Sequence, residues 1–480
     1  MKQTWLLLAM TCSLGAAAQK KSAKPETFAA TITEADMKKH LYTLASKDFE
    51  GRETASEGQR KAAAYISEQF KSFGLQPGNK GEWQLAYPVY RDSAVSSAVE
   101  LNGSALALNN DYQAIQMFNT TSDQYFSKVT VVGTGVVDSA WDDYHDADVK
   151  GKLVLILDGS PANYKASSKS RGFMMPAGTY GKIMSARTKG AAAILIVGQG
   201  FPRKQGGGGP SMYNSIYKEQ LMPNTWIVSE KVAEQIVGAG YKDIKDQAKA
   251  GTGKTVSVDA ELHLQFNKAI SKLQSSNVLG VIEGTDKKDE WLVISAHYDH
   301  LGKRDTTIYY GADDDGSGTT SVLEIAEAFA KAKAAGQGPR RSILFTTVSG
   351  EEKGLWGSEW YSDHPVYPLE KTTADLNIDM VGRVDTERKS ADTLNYVYVV
   401  GDDKISSDLK TISETVNNKN IKMTLDSSST IRTIPSRSTI AATITTSHAR
   451  AFPSSSIMMA CSRPTIISRP IPPTRFTTPS

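Results

Sequence analysis

Apolar and polar positions along the chain follow two periods. Met37, Leu41 and Leu44 fall on one helical face behind Thr33, a residue suited to capping the helix start. Ala62, Ile66, Phe70 and Phe73 do the same in a second segment opening near Glu57, with Gly74 as its stop. Residues 120–262 read differently. They hold a strand at 152–157, a helix ending at Lys189 and Gly190, a strand at 191–197 and a glycine loop at 206–209. That predicts a self-sufficient strand–helix–strand unit with an exposed loop. From 275 onward the order becomes strand 276–282, strand 291–296, helix 319–334, strand 342–348, a helix from Leu355 and strand 376–380. Alternation of this kind predicts an α/β fold whose doubly wound, mostly parallel sheet gathers ligands beyond the carboxyl ends of its strands.

Composition changes this picture at the two ends. The 480 residues suffice for two domains, and Lys+Arg 55 against Asp+Glu 52 gives a formal charge of +3. Six arginines between 427 and 480, in a stretch free of Asp, Glu and Lys, account for the excess. With them set aside the acidic residues outnumber the basic ones, so no nucleic-acid partner is expected. At the other end Lys2, the apolar run from Trp5 to Leu14 and Ala16-Ala17-Ala18 have the form of an export signal over residues 1–18. That run is too short for a transmembrane segment. A lipoprotein role for Cys12 fits poorly with the preceding Met10-Thr11. Cys461 is the only other cysteine, so the mature chain forms no internal disulfide. The expected location is periplasmic or extracellular.

Candidate chemistry lies at the predicted strand ends. His297-Tyr298-Asp299 closes one strand, Glu351-Glu352 follows another and Asp379 ends a third, while Asp313-Asp314-Asp315 opens the helix at 319. Each has an ordinary explanation when taken singly. A strand-end histidine can bond its neighbour, three aspartates can cap a helix, and paired glutamates can form a charged turn. Asp379 between Ile378 and Met380 is harder to dismiss, because a half-buried carboxylate costs several kcal/mol unless paired or coordinated. Four such clusters at four strand ends point together to a hydrolytic metal site.

The motifs His297-Tyr298-Asp299, Gly311-Ala312-Asp313-Asp314-Asp315-Gly316-Ser317-Gly318, Ser349-Gly350-Glu351-Glu352 and Asn377-Ile378-Asp379-Met380 resemble the co-catalytic two-zinc aminopeptidase family. That family includes bacterial leucyl aminopeptidases and, more distantly, glutamate carboxypeptidase and glutaminyl cyclase. The resemblance is close over 275–385, and residues 120–262 are similar to the protease-associated domain often inserted in such enzymes. It implies a zinc exopeptidase domain in two parts, 28–119 and 263–426, flanking the insert. It also implies release of N-terminal residues from peptides with a free N-terminus, through water bridged by two zinc ions. In that scheme His297 and Asp379 each bind one zinc, Asp314 bridges both and Glu352 binds the second. Glu351 is the general base, and Asp299 orients the His297 ring. Other exopeptidase or cyclase chemistry on the same scaffold, or a non-catalytic binding protein, are the rival readings.

The chain departs from the family near its end. A last histidine ligand is expected in a Y-H-x-P-x-D segment, yet the one histidine after Asp379 is His448, which lacks such surroundings. From 427 the chain lacks Gly, Leu, Val, Asn, Gln, Tyr and Trp. A disordered secreted tail is one explanation. A shifted reading frame is the sharper one. Back-translated and read one frame over, 439–448 permits Y-R-S-D-H-Y-N-F-A, 449–456 permits R-K-G-I-P-V-I-F, and 464–476 permits A-D-Y-H-K-P-T-D-T-P-D-K-I. The missing histidine then falls where Ile467 stands. On this reading 427–480 is aberrant, the second zinc keeps only Asp314 and Glu352, the sheet loses one strand, and activity is weak or absent.

Overall fold

The computed structural model describes residues 23–166, 175–203, 211–215, 221–385, 388, 394–402, 406–427 and the backbone of 455–460. The expected export signal at 1–18, the 206–209 loop, Cys461 and the positions of His448 and Ile467 lie outside the described residues.

One sheet threads the described chain. Its principal strands are β1 (Gln84–Leu101), β2 (Ser122–Val131), β3 (Leu153–Ile156), β4 (Ala193–Val197), β5 (Asn224–Val228), β6 (Val256–Ile282), β7 (Lys287–His297), β8 (Arg341–Val348), β9 (Thr372–Asp379), β10 (Tyr396–Val400), β11 (Thr424–Asp426) and β12 (Ser455–Ala460). All but β1, which pairs with β6 off this path, lie in the order β11-β10-β12-β9-β7-β8-β6-β2-β3-β4-β5. The centre of one half is parallel: β7 pairs β8 and β9, and β9 pairs β12. Antiparallel β6 and β10 flank it. The mostly parallel, doubly wound sheet expected from the alternation is therefore present.

Besides a single short turn at Pro25–Ala29, the α-helices of the described residues are α1 (Glu34–Leu44), α2 (Glu57–Phe73), α3 (Thr179–Thr188), α4 (Glu230–Val237), α5 (Tyr241–Ala250), α6 (Gly318–Ala334), α7 (Trp356–Asp363) and α8 (Ser407–Asn420). The Thr33 hydroxyl accepts from Asp36 N at the start of α1, and Gly74 closes α2 at φ 89°. That positive φ suits glycine and ends the helix. Ala62, Ile66 and Phe70 of α2 and Val322, Leu323 and Ala326 of α6 cover one sheet face, against Val278, Ile294 and Phe345. Each large side chain buried this way contributes about 1.5–3 kcal/mol. Tyr361 of α7 packs against Leu279, Val293 and Leu344 on the other face. Covering both faces is what lets these strands be apolar throughout.

β2, β3, β4 and β5 form a second parallel run with its own core. Val232, Ile236 and Tyr241 from α4 and α5 cover one face, and Ile183 and Ala186 of α3 cover the other. β1 and β6 join the two runs as a long antiparallel ribbon, from Leu101 opposite Leu262 to Gln84 opposite Val278. Within it Lys268 Nζ meets Asp92 Oδ2 at 2.6 Å, both side chains buried. The apolar pattern does not mark most of this ribbon, because its middle is exposed and is held by cross-strand pairing rather than burial.

The expected loss of a strand near the end does not hold. β12 sits between β9 and β10, with Ala374 opposite Ser455 and Asp379 opposite Ala460. Main-chain pairing asks only for an extended segment, which the backbone of 455–460 supplies.

Arg52 ties the helical layer to the strand ends. The fully buried guanidinium donates to the carbonyls of Leu44, Tyr298, Tyr310 and Gly311 at 2.6–2.8 Å. Burial pulls its pKa down to about 10, while neighbouring Asp299 and Asp315 hold it charged at neutral pH. Arg52→Met should destabilise the fold by about 3–5 kcal/mol, since it strands four carbonyls and removes the cation facing buried carboxylates. Urea unfolding followed by circular dichroism measures this, and a loss below about 1 kcal/mol would contradict the assignment.

Candidate metal centre

The centre forms where β7, β8 and β9 end side by side. A parallel register brings His297, which closes β7, opposite Val348 of β8. Thr319 Oγ1 donates to the His297 carbonyl at 2.7 Å, fixing the first turn of α6 against the strand. Gly350, at φ 73°, turns the chain after β8 and delivers Glu351. A Cβ there would lie 2.6 Å from the Tyr87 hydroxyl, so only glycine fits the turn.

His297 Nε2 lies 3.0 Å from Asp314 Oδ1, 3.8 Å from Asp379 Oδ1 and 3.9 Å from Glu351 Oε2. Its Nδ1 faces the Asp299 carbonyl oxygen at 3.2 Å and the Asp299 carboxylate at 3.7 Å. The carboxylate of Asp299 is engaged elsewhere: Thr54 Oγ1 donates to it at 2.7 Å and the Glu351 amide at 3.2 Å. Asp299 thus ties the β7 end to the Glu351 turn, and its carbonyl rather than its carboxylate makes the closer contact with the ring.

The three consecutive aspartates divide their work. Asp313 accepts from Gly382 N at 2.9 Å. Asp315, fully buried, accepts from Gly318 N, Met380 N and His297 N. Those bonds occupy its carboxylate in holding α6 and the ends of β7 and β9 together. Asp314 is left facing the imidazole. Burial acts to raise its pKa, but His297, His300 and Arg52 hold the carboxyl below its ordinary value.

The sequence reading passed over His300. Its Nδ1 stands 2.7 Å from Glu352 Oε1. Two groups of three thus have ligand atoms within 4.8 Å of one another: His297, Asp315 and Asp379, and His300, Asp314 and Glu352. The available signal was the repeat within His297-Tyr298-Asp299-His300, where a histidine recurs three positions on as the strand gives way to a turn. Among the described residues, the five atoms His297 Nε2, His300 Nδ1, Glu351 Oε1, Glu352 Oε1 and Asp379 Oδ1 are buried without a hydrogen-bond partner. Unpartnered nitrogen and carboxylate oxygen converging in this way form a donor set suited to a divalent metal such as zinc.

Residues 277–438 match the profile of peptidase family M28. Over 239 residues the chain is 30% identical to aminopeptidase YwaD of Bacillus subtilis (strain 168), covering 49% of this chain and 41% of that protein. Over 133 residues it is 35% identical to aminopeptidase NAALADL1 of Mus musculus, covering 27% of this chain and 16% of that one. The chain therefore spans less than half the length of these curated relatives. Among solved structures, an aminopeptidase from Aneurinibacillus sp. strain AM-1 superposes over 92% of this chain and 88% of that one, with a TM-score of 0.51 at 18% identity. The fold is shared.

Burial pushes the Asp379 carboxyl up from 3.8 to about 7 in the metal-free protein. A folded-state pKa above the unfolded value gives stability present below about pH 4 and lost as pH rises through about 7. Asp379→Asn should remove that loss. At pH 8 the metal-free variant should melt a few degrees above the metal-free parent, about 2–4 °C per kcal/mol, yet gain less from added zinc. Differential scanning fluorimetry with and without zinc checks both halves, and a parent-like zinc response in the variant would count against Asp379 as a ligand.

Proposed function

We propose that this protein is a zinc-dependent exopeptidase, most simply an aminopeptidase releasing residues from the free N-terminus of peptides. The observation supporting it best is the convergence of His297, Asp314, Asp379 and Glu351 around unpartnered buried atoms at parallel strand ends. The match of residues 277–438 to family M28 and the aminopeptidase activity named for two curated relatives agree with it. On this reading His297 and Asp379 hold one ion, Asp314 reaches toward a second and Glu352 faces that second position. Bound there, zinc supplies a Lewis acid that polarises a scissile carbonyl and lowers the pKa of water.

The chain's own groups have separable tasks. Glu351, nine-tenths buried with Oε1 unpartnered, takes the proton from the attacking water and passes it to the leaving amine nitrogen. Burial acts to raise its pKa well above the ordinary carboxylate range, which favours a group that must hold a proton in mid-reaction. Asp299 positions both partners: its carbonyl fixes the His297 ring and its carboxylate accepts the Glu351 amide. Residues 1–18 would be an export signal and 120–262 a protease-associated insert, so that the enzyme works in the periplasm or outside the cell. The composition of the first segment and the separate core of the second support this.

Glu351→Gln should lower kcat on leucyl-p-nitroanilide by about 10²–10⁴-fold while zinc content, read by mass spectrometry, stays at the parent level. Parent-like turnover would remove Glu351 from the mechanism. An N-acetylated leucyl substrate should resist the parent enzyme, whereas release of C-terminal residues from the same peptides would reverse the assigned polarity.

A further inference from the structure

We propose that His300, Asp314 and Glu352 form the second cation site, with His300 as its nitrogen ligand. The proposal rests on the metallopeptidase reading above and assigns a ligand that the sequence motifs left out. His300 Nδ1 and Glu352 Oε1 stand 2.7 Å apart, both atoms are buried, and among the described residues neither has another hydrogen-bond partner. Two donor atoms so placed, with an Asp314 oxygen within 4.8 Å of both, share one target. A neutral imidazole with two carboxylates gives a charge of −2, which matches a divalent ion.

The imidazole is held in place by its surroundings. The His300 amide donates to the Arg52 carbonyl at 3.3 Å. Gly311 lies so close that a Cβ there would sit 2.5 Å from His300 Cγ. The Gly311 carbonyl in turn accepts from the Arg52 guanidinium at 2.7 Å. One arginine therefore fixes both the loop beneath the ring and the backbone carrying it. The neighbouring His297 Nε2 and Asp379 Oδ1, each more than nine-tenths buried and unpartnered, form the adjoining site. Asp314 lies between them, 3.0 Å from His297 Nε2 and grouped with His300 on its other side. Its side chain is 30% exposed, so the shared edge opens toward solvent.

Every ligand of this second site comes from residues 300–352. Metal binding there would not depend on a histidine in the last 54 residues, and the chain keeps two sites despite its departing tail.

Zinc titration by isothermal calorimetry on the full chain, stripped with a chelator, tests this. The parent should bind two equivalents, His300→Ala one, and His448→Ala two, with far-ultraviolet circular dichroism unchanged. Cobalt substitution gives a second readout, since His300→Ala should remove one of two ligand-field contributions to the visible spectrum. Two equivalents in His300→Ala, or loss of one in His448→Ala, overturns the proposal. So does a parent that binds a single ion lost with His297→Ala but kept in His300→Ala. A parent that binds no zinc overturns the metallopeptidase reading as well, so the two failures are distinguishable.

Discussion

The rest of the structure depends on how acidic charge is confined at the ends of β7, β8 and β9. Asp299, Asp313, Asp315, Glu351 and Asp379 are all buried, and Asp314 and Glu352 are half-buried beside them. Isolated in an apolar interior, each would cost several kcal/mol. The protein offsets that cost in three ways. Backbone amides take the oxygens of Asp315 and Asp313, the Arg52 guanidinium supplies a buried cation, and imidazoles face those that remain. The oxygens of Glu351 and Asp379 that have no hydrogen bond among the described residues, and the Glu352 oxygen that faces only His300, mark where a divalent ion would complete the balance.

That electrostatic arrangement explains the surrounding architecture. A parallel sheet puts strand ends in register, so His297, Glu351 and Asp379 meet although more than eighty residues separate the first from the last. Arg52 lies far away in sequence, between α1 and α2, yet its hydrogen bonds reach the β7 end and the Asp loop. The N-terminal helices are thus part of the site's support as well as its core. The second α/β run touches this region too. Tyr213 pairs with β1 and bonds Asp92, and Asn214 Nδ2 donates to Glu359 of α7 at 3.0 Å. Its loop therefore rests on the helix that follows the Glu351 turn, which gives the extra run a physical route to influence the site's entrance.

The sequence revealed the parts whose signal is local. α2, α6 and strands β7, β8 and β9 carry an uninterrupted apolar period, and their ends were read within a few residues. The four acidic and histidine clusters were legible because ligand-type residues at strand ends are costly without a task. The β1–β6 ribbon was not legible, since a strand stabilised by its partner leaves no apolar pattern of its own. The division among the three aspartates was equally hidden. Only the amides of Gly318 and Met380 show that Asp315 is occupied while Asp314 is free to face a metal.

His300 shows a different limit. A histidine just past a strand end has an ordinary explanation in sequence, and nothing in its spacing to Glu352 sets the two side by side. What joins them is the close packing of Gly311 beneath the ring, itself set by an arginine some 250 positions earlier, as the bond from Arg52 to Gly311 spans 259 residues. The acidic loop, the glycine and the arginine form one unit, because a side chain at 311 would displace the imidazole and a neutral residue at 52 would release the loop. A chain that keeps this unit retains a second nitrogen beside Asp314 and Glu352 whatever follows β9. On that proposal, metal binding at this second position rests on residues that precede β9, while the backbone of β12 pairs with β9 and β10 beside the Asp379 strand end.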